Sequence, residues 1–539
     1  MPAFAGVAST ADQQAISEYL QRLNADTKRT MDELPQKKAA APFAAKTANK
    51  FSPQAIQSGA YIATKDEVRN QLINGKRRMA GGVEVFAASA AIAGNDDAAR
   101  LVDNGSAMVR NVFDMDTQNL KSARLEEQPW SDTYWPLYNG SVSNRYADSS
   151  VNNSSDWKAL WTAHNQTSPV AGYISGGKTD FLSPAEKYDL LVGDTSFGLT
   201  AAGWNSGKGY YDRNGKVEGW MGLCHGWAPA AYMLPRPKNT ITVTSANGTK
   251  VKLFPSDIKA MGTMLWANSS PSSRFIGGRC NAKDPAKDTN GRIQDQNCFD
   301  NNPGTWHQAV VNQIGVSKRS FVLDATYDYE VWNQPVLGYS YTYFNPQTGK
   351  AFTTAKEAMI ARANYTNDKF AKYRSANGVN VVGVRMTLSY IVETEPSQAS
   401  VDSPSRDAIT NVSYMYDLEL DANGNIIGGE WYTNRHPDFL WTPAPTTRAQ
   451  SYYNPGTPWN VLTSPMPADW TNYAAYSSRY NQPMSAVVER LFNLSAADDW
   501  NTATTYKTGA RVKFNGALYA ATRGTKGETP SAGGAWRAL

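Results

Sequence analysis

At 539 residues the chain is too long for one ordinary domain, and its 41% hydrophobic content supports a real core. With 19% charged residues and a net charge of +5 it has no dense basic block; Lys37, Lys38, Lys46 and Lys50 form a sparse stretch, which argues against nucleic-acid binding. No run reaches the roughly eighteen apolar residues of a membrane span, and the beginning of the sequence lacks the charged-then-apolar order of a signal peptide.

Residues 1–129 read as a helical region. Helical periodicity covers 11–24, an Ala/Lys/Pro stretch at 35–51 resembles a linker, and helical patterns resume from Lys65 toward Leu125. The region is either a removable pro-segment or a helical accessory domain. At Trp130 the texture changes, with Trp130, Tyr134, Trp135, Tyr138 and Tyr146 arriving among turn-formers. A main domain is therefore expected over 130–445.

Within that domain, Ser183-Pro184-Ala185-Glu186 predicts a capped helix start, continuing through Val192 to Gly193. Residues 211–217 read as a hairpin turn, and 421–425 as another between strands 416–420 and 426–431. Neither cluster places glycine where a helix–loop–helix calcium site needs it, so both are taken as plain turns. Residues 446–495 read as a Pro/Tyr/Asn-rich connector with one short helix near 484–494. The last segment, 496–539, reads as a small all-β module in which Trp500, Tyr506, Val512, Phe514, Tyr519 and Trp536 alternate with glycines and polar residues.

The residues that carry chemistry centre on Cys224, set between Gly222 and Gly226 ahead of a helix-forming segment. A thiol is a nucleophile as thiolate, and a helix N-terminus with a nearby imidazole lowers its pKa. The two glycines are expected to permit close substrate approach, and Pro229 to kink or delay the helix. His307 lies in 304–312, whose alternation suits a strand, and Asp324 lies in the next strand-like run, 321–326. A turn at 315–318 would set Asp324 beside His307 across an antiparallel pair, orienting the imidazole as base for Cys224. His225, adjacent to the cysteine, should diverge from it, and His436 is expected to be structural. The oxyanion donors would be the Cys224 N–H with Trp220 or Glu218, and Trp220, Trp227 and Trp306 would wall the pocket and exclude water. Cys280 and Cys298 flank a polar loop with little apolar surface; a disulfide there would offset the thin core and leave Cys224 unpaired. The alternative is three free cysteines.

Several long stretches resemble the transglutaminase-elicitor family. They include Trp130-Ser131-Asp132-Thr133-Tyr134-Trp135-Pro136, the Cys224 motif, Pro255-Ser256-Asp257-Ile258-Lys259 and Arg274-Phe275-Ile276-Gly277-Gly278-Arg279-Cys280. They continue with Asn302-Pro303-Gly304-Thr305-Trp306-His307, Val331-Trp332-Asn333-Gln334-Pro335-Val336, Gly428-Gly429-Glu430-Trp431 and His436-Pro437-Asp438-Phe439-Leu440-Trp441. The resemblance implies an α+β fold with a divergent papain/transglutaminase-like core. It also implies that Cys224, His307 and Asp324 are nucleophile, base and orienter, transferring an acyl group from a protein glutamine to a lysine or other primary amine. The family's plant-sensed epitope has a basic residue where this chain has Leu337. The tail resembles a small chitin-binding module of family 5/12 through Trp500, Tyr506, Tyr519 and Trp536, which implies binding of chitin or another cell-surface glycan, although Arg523-Gly524 stands at the usual aromatic platform.

The expected protein is thus a secreted or cell-surface acyltransferase that requires no cofactor or metal; calcium has no support in the sequence. A thiol peptidase or amidase differs from it in letting water resolve the thioester, and a non-catalytic glycan-binding surface protein would lack a reactive Cys224.

Overall fold

A computed structural model describes residues 9–39, 96–278, 285–294, 301–325, 331–531 and 533–539. Helices and strands are mixed throughout, an α+β fold as expected. Its centre is an antiparallel sheet of β1 (Lys37–Ala39), β2 (Ser122–Arg124), β3 (Ser273–Gly277), β4 (Val322–Asp324), β5 (Asn333–Phe344), β6 (Asn380–Val392), β7 (Ala408–Leu420), β8 (Ile426–Trp431) and β9 (Phe439–Pro443). The pairing order is β1-β7-β6-β5-β4-β9-β3, with β8 also on β7 and β2 also on β5.

The long pair β6–β7 follows from alternation. Val382, Val384, Met386 and Leu388 lie opposite Leu418, Tyr416, Tyr414 and Val412, and all eight are buried. On the alternate positions of β7, Met415, Asp417 and Glu419 are buried as well, because the second face of the sheet is also covered there. There α1 (Thr10–Ala25) packs Ile16, Leu20 and Leu23 into a cluster with Phe344, Phe370, Met415 and Tyr432. Arg374 lies on the same side and holds Asp417 with two bonds of 2.5 and 2.7 Å, and Asp368 with another of 2.9 Å.

The main core also takes side chains from α2 (Pro184–Val192), α3 (Gly198–Asn214), α4 (Cys224–Met233), α5 (Pro255–Asn268), α6 (Pro303–Val310), α7 (Trp470–Ser478) and α8 (Ser485–Ala496). The capping box predicted for α2 is present. Ser183 Oγ accepts the Glu186 N–H, the Glu186 carboxylate accepts the Ser183 N–H, and Gly193 closes the helix at φ +74°. The turn at 421–425 joins β7 to β8, with Gly424 at φ +89°.

Four expectations are corrected. Residues 211–214 finish α3, and Gly215, at φ +69°, is its cap. A hairpin turn and a helix terminus both recruit a left-handed glycine, so Asp-Arg-Asn-Gly fits either. Residues 303–310 are helix, not strand: Asn302 caps, Pro303 takes the first turn, and Trp306, Ala309 and Val310 recur at helical spacing. The core begins before Trp130, since β2 pairs with β5 and Val112, Met115, Leu120 and Leu125 are buried in it. The segment read as a connector supplies two helices, whose Trp470, Val487, Val488, Leu491 and Phe492 belong to the main core.

The tail forms its own small sheet from Arg511–Phe514, Ala517–Ala521 and Trp536–Ala538 around Tyr506, Val512, Ala521, Ala535 and Trp536. Among the described residues no helix is long and apolar enough to cross a membrane.

Candidate functional site

Cys224 is the first residue of α4, with Leu223 as N-cap and Pro229 carried inside the helix. The Tyr134 carbonyl fixes this start by accepting the Leu223 N–H at 2.6 Å. A Cβ on Gly222 would fall 2.5 Å from the Tyr134 ring and carbonyl, and one on Gly226 would fall 2.2 Å from the Thr263 carbonyl. Both glycines therefore serve the close packing of Tyr134 and α5, which replaces the substrate access expected of them.

The thiol is unpaired and 5% exposed. Its Sγ lies 3.5 Å from Asn333 Nδ2 and 3.5 Å from the Val331 carbonyl oxygen. Trp441 Nε1 donates to Asn333 Oδ1 at 2.8 Å. An indole N–H is a donor alone, so this bond fixes the amide with its NH₂ toward sulfur. Asn333 opens β5 and pairs with Asp324 at the end of β4. Asp324 in turn accepts the Trp332 N–H at 3.0 Å. Glu393, one residue beyond β6, accepts a bond of 2.8 Å from Gln334 Nε2. The Tyr134 and Trp332 rings, 4.9 Å apart, form an aromatic wall.

Burial and hydrogen bonding act on the sulfur in opposite senses. Burial pushes the thiol up to about 11, with the negative charges of Glu393 and Asp324 adding to it, while the hydrogen bonds from the Asn333 side chain and backbone pull it down. Burial likewise pushes the Glu393 carboxyl up to about 7, against the pull of the Gln334 amide and the Lys37 charge.

Of the residues expected here, Asp324 lies on the strand pair that carries Asn333, and His307 lies far from it. His307 Nδ1 shares a 2.9 Å hydrogen bond with the Tyr416 hydroxyl, and its ring lies 4.7 Å from that of Tyr341. Tyr341 is eight residues along β5 from Asn333, about 26 Å of extended strand. Burial alone pushes the imidazole down to about 3. Trp306 shares this distant position on α6, packed between Tyr414 and Trp431, where His436 also stacks at 4.5 Å. The two oxyanion candidates are tied to each other, with Trp220 Nε1 donating to Glu218 at 2.7 Å. The Trp227 indole donates to the Trp130 carbonyl at 3.1 Å from a fully buried position.

In the tail, Tyr506 and Trp536 are 6% and 1% exposed and make the module's core, so neither offers a face for a sugar. Trp500 packs against Phe514 at 5.2 Å, and Tyr519 leans on the same core. Cys280 and Cys298 lie outside the described residues, and their pairing with them.

Asn333, Trp441 and Glu393 escaped the sequence reading of the site. Trp332-Asn333 belongs to a stretch that resembles the family, but nothing in its spacing connects an asparagine to a cysteine more than a hundred positions earlier.

A model of the transglutaminase elicitor family matches residues 105–461. Among solved structures, the chain is similar to the GP42 transglutaminase from Phytophthora sojae, at 23% identity and a TM-score of 0.46, over 72% of this chain and 94% of that one. No curated protein matches it.

Proposed function

Because the chain belongs to the transglutaminase elicitor family, we propose that it is a secreted protein-glutamine γ-glutamyltransferase whose nucleophile is Cys224. The observation that supports this most is the contact of Asn333 with Sγ at the first residue of α4, with Glu393 held by the adjoining Gln334. A carboxyl held near 7 is matched to proton transfer at neutral pH. In this reading the thiol proton passes to Glu393 as sulfur adds to the glutamine carboxamide carbon. The C–N bond then breaks, and ammonia leaves with that proton. A primary amine next adds to the thioester carbon and gives a proton to Glu393; the C–S bond breaks, and sulfur takes the proton back. The Cys224 N–H, at the first helical position, has no acceptor within α4 and supplies one oxyanion donor. Asp324 positions Trp332 beside the sulfur.

The buried, raised thiol and the distance to His307 favour a second reading, a non-catalytic elicitor. The test is incorporation of a fluorescent primary amine into a glutamine-rich protein by the unaltered chain, Cys224→Ala, Glu393→Gln and His307→Gln. The transferase requires incorporation that Cys224→Ala abolishes and Glu393→Gln lowers at least about 10²-fold, with His307→Gln retaining it. Deamidation or cleavage without incorporation assigns a hydrolase. Absence of all three in the unaltered chain leaves the non-catalytic elicitor.

A further inference from the structure

Lys37 lies on β1, at the edge of the sheet, paired with Val412 of β7. It stands four strand positions from β4 in the pairing order. Laid flat, four spacings span about 19 Å, far beyond the reach of a lysine side chain. Yet Lys37 Nζ donates at 3.1 Å to the carbonyl oxygen of Ala325, the residue directly after β4. The sheet therefore curls until its first strand returns over the ends of its inner ones.

Those strand ends are where the thiol sits. The Ala325 N–H donates to the Trp332 carbonyl at 2.9 Å, and Trp332 stands between Val331 and Asn333, the two residues that touch Sγ. On the other side, Gln334 holds Glu393, whose charge acts on the sulfur and which itself feels the charge of Lys37. The chain thus places its own lysine, carried on an extended strand, against a carbonyl and near a carboxylate beside the candidate nucleophile.

We propose that the Ala325 carbonyl and the Glu393 carboxylate form a primary-amine subsite for Cys224, that Lys37 is its resident occupant, and that an acceptor lysine enters on an extended segment in place of β1. This rests on the transferase reading and names the substrate form it takes: a lysine within a strand-forming peptide that adds to the edge of β7.

The test uses the full chain and needs no turnover. Rates of Cys224 modification are measured with methyl methanethiosulfonate, which is neutral, and aminoethyl methanethiosulfonate, which carries a primary ammonium. In each case the thiolate attacks the reagent's sulfenyl sulfur, an S–S bond forms and methanesulfinate leaves. Emptying the subsite by Lys37→Ala is expected to raise the aminoethyl-to-methyl rate ratio at least about tenfold, the low end of what a cleft of opposite charge does to encounter. Adding Glu393→Gln to Lys37→Ala should abolish that gain. Lys38→Ala, one residue along and therefore on the other face of β1, should leave the ratio unchanged. Equal ratios in Lys37→Ala and Lys38→Ala overturn the subsite, as does a Cys224 that neither reagent modifies in any variant. Amine incorporation with no shift in the ratio overturns the subsite alone, whereas a shifted ratio without incorporation supports the subsite and overturns the transferase.

Discussion

At the scale of single residues, the reactivity of Cys224 is decided by the balance between its burial and one asparagine. Asn333 supplies the hydrogen bonds that lower the thiol, against burial and two carboxylates that raise it. Asn333→Ala is therefore expected to slow alkylation of Cys224 by iodoacetamide several-fold at pH 8 and to move the midpoint of its rate–pH profile upward. His307 carries a different lesson. Its value in the folded chain is held near 3, while in the unfolded chain it returns to its ordinary 6.5. Between those two values the unfolded state binds a proton that the folded state refuses, so this residue makes stability fall as pH drops through that window. His307→Gln should flatten the decline of the urea midpoint between pH 6.5 and 4 by one proton's worth of slope, and should leave the alkylation rate of Cys224 unchanged. An altered alkylation rate would instead connect this imidazole to the thiol.

At the scale of elements, the pairing of α4 with α5 sets where the cysteine stands. Gly226 lets the two helices approach until its own α-carbon leaves no room for a methyl group beside the Thr263 carbonyl and the Ala267 side chain. Since the obstruction at Thr263 is backbone, relief requires the helices to part. Gly226→Ala is expected to destabilise the fold by about 1–3 kcal/mol, the usual cost of overpacking, even though alanine is the better helix former. A thermal melt reads this directly, and an unchanged melting temperature would mean that α4 and α5 slide without penalty. The elements also show how far local pattern reaches. The capping box at Ser183 and the hairpin at 421–425 were legible because each signal is local and complete within five residues. The helix at 303–310 resembles a strand in sequence because Trp306 and Val310, four residues apart, share a face in either period over so short a run.

At the scale of the whole molecule, the sheet is covered on both faces, and the face under α1 is held by charge as well as by apolar contact. Arg374 is fully buried between Asp368 and Asp417, and the Tyr432 hydroxyl bonds the same Asp417 carboxylate at 3.0 Å. Removing the guanidinium would leave two carboxylates buried without their counter-ion. Arg374→Ala is expected to cost about 3–5 kcal/mol, measured as a shift of the denaturant midpoint, whereas an apolar replacement of the whole cluster should cost much less. The same layer ties residues 9–39 to the body through Ile16, Leu20 and Leu23 on one side and through β1 and Lys37 on the other. A helical N-terminal stretch was readable in advance. That it lies on the second face of the sheet and sends a lysine to the Ala325 carbonyl was not, because those contacts join positions about three hundred and four hundred residues apart.

The sequence by itself determined the α+β class, the nucleophile candidate, the family and those elements whose caps and turns are written in adjacent residues. Each is a property of local pattern or of residue type, which the chain carries before it folds. Only the tertiary structure decided which groups meet the thiol: it set Asn333 and the Val331 carbonyl against Cys224, with Asp324 and Glu393 held by the adjoining Trp332 and Gln334, and left His307 at the other end of β5. Strand register and the curl of the sheet make that choice, and both are set by the packing of the whole core on two faces, which no short stretch of sequence contains.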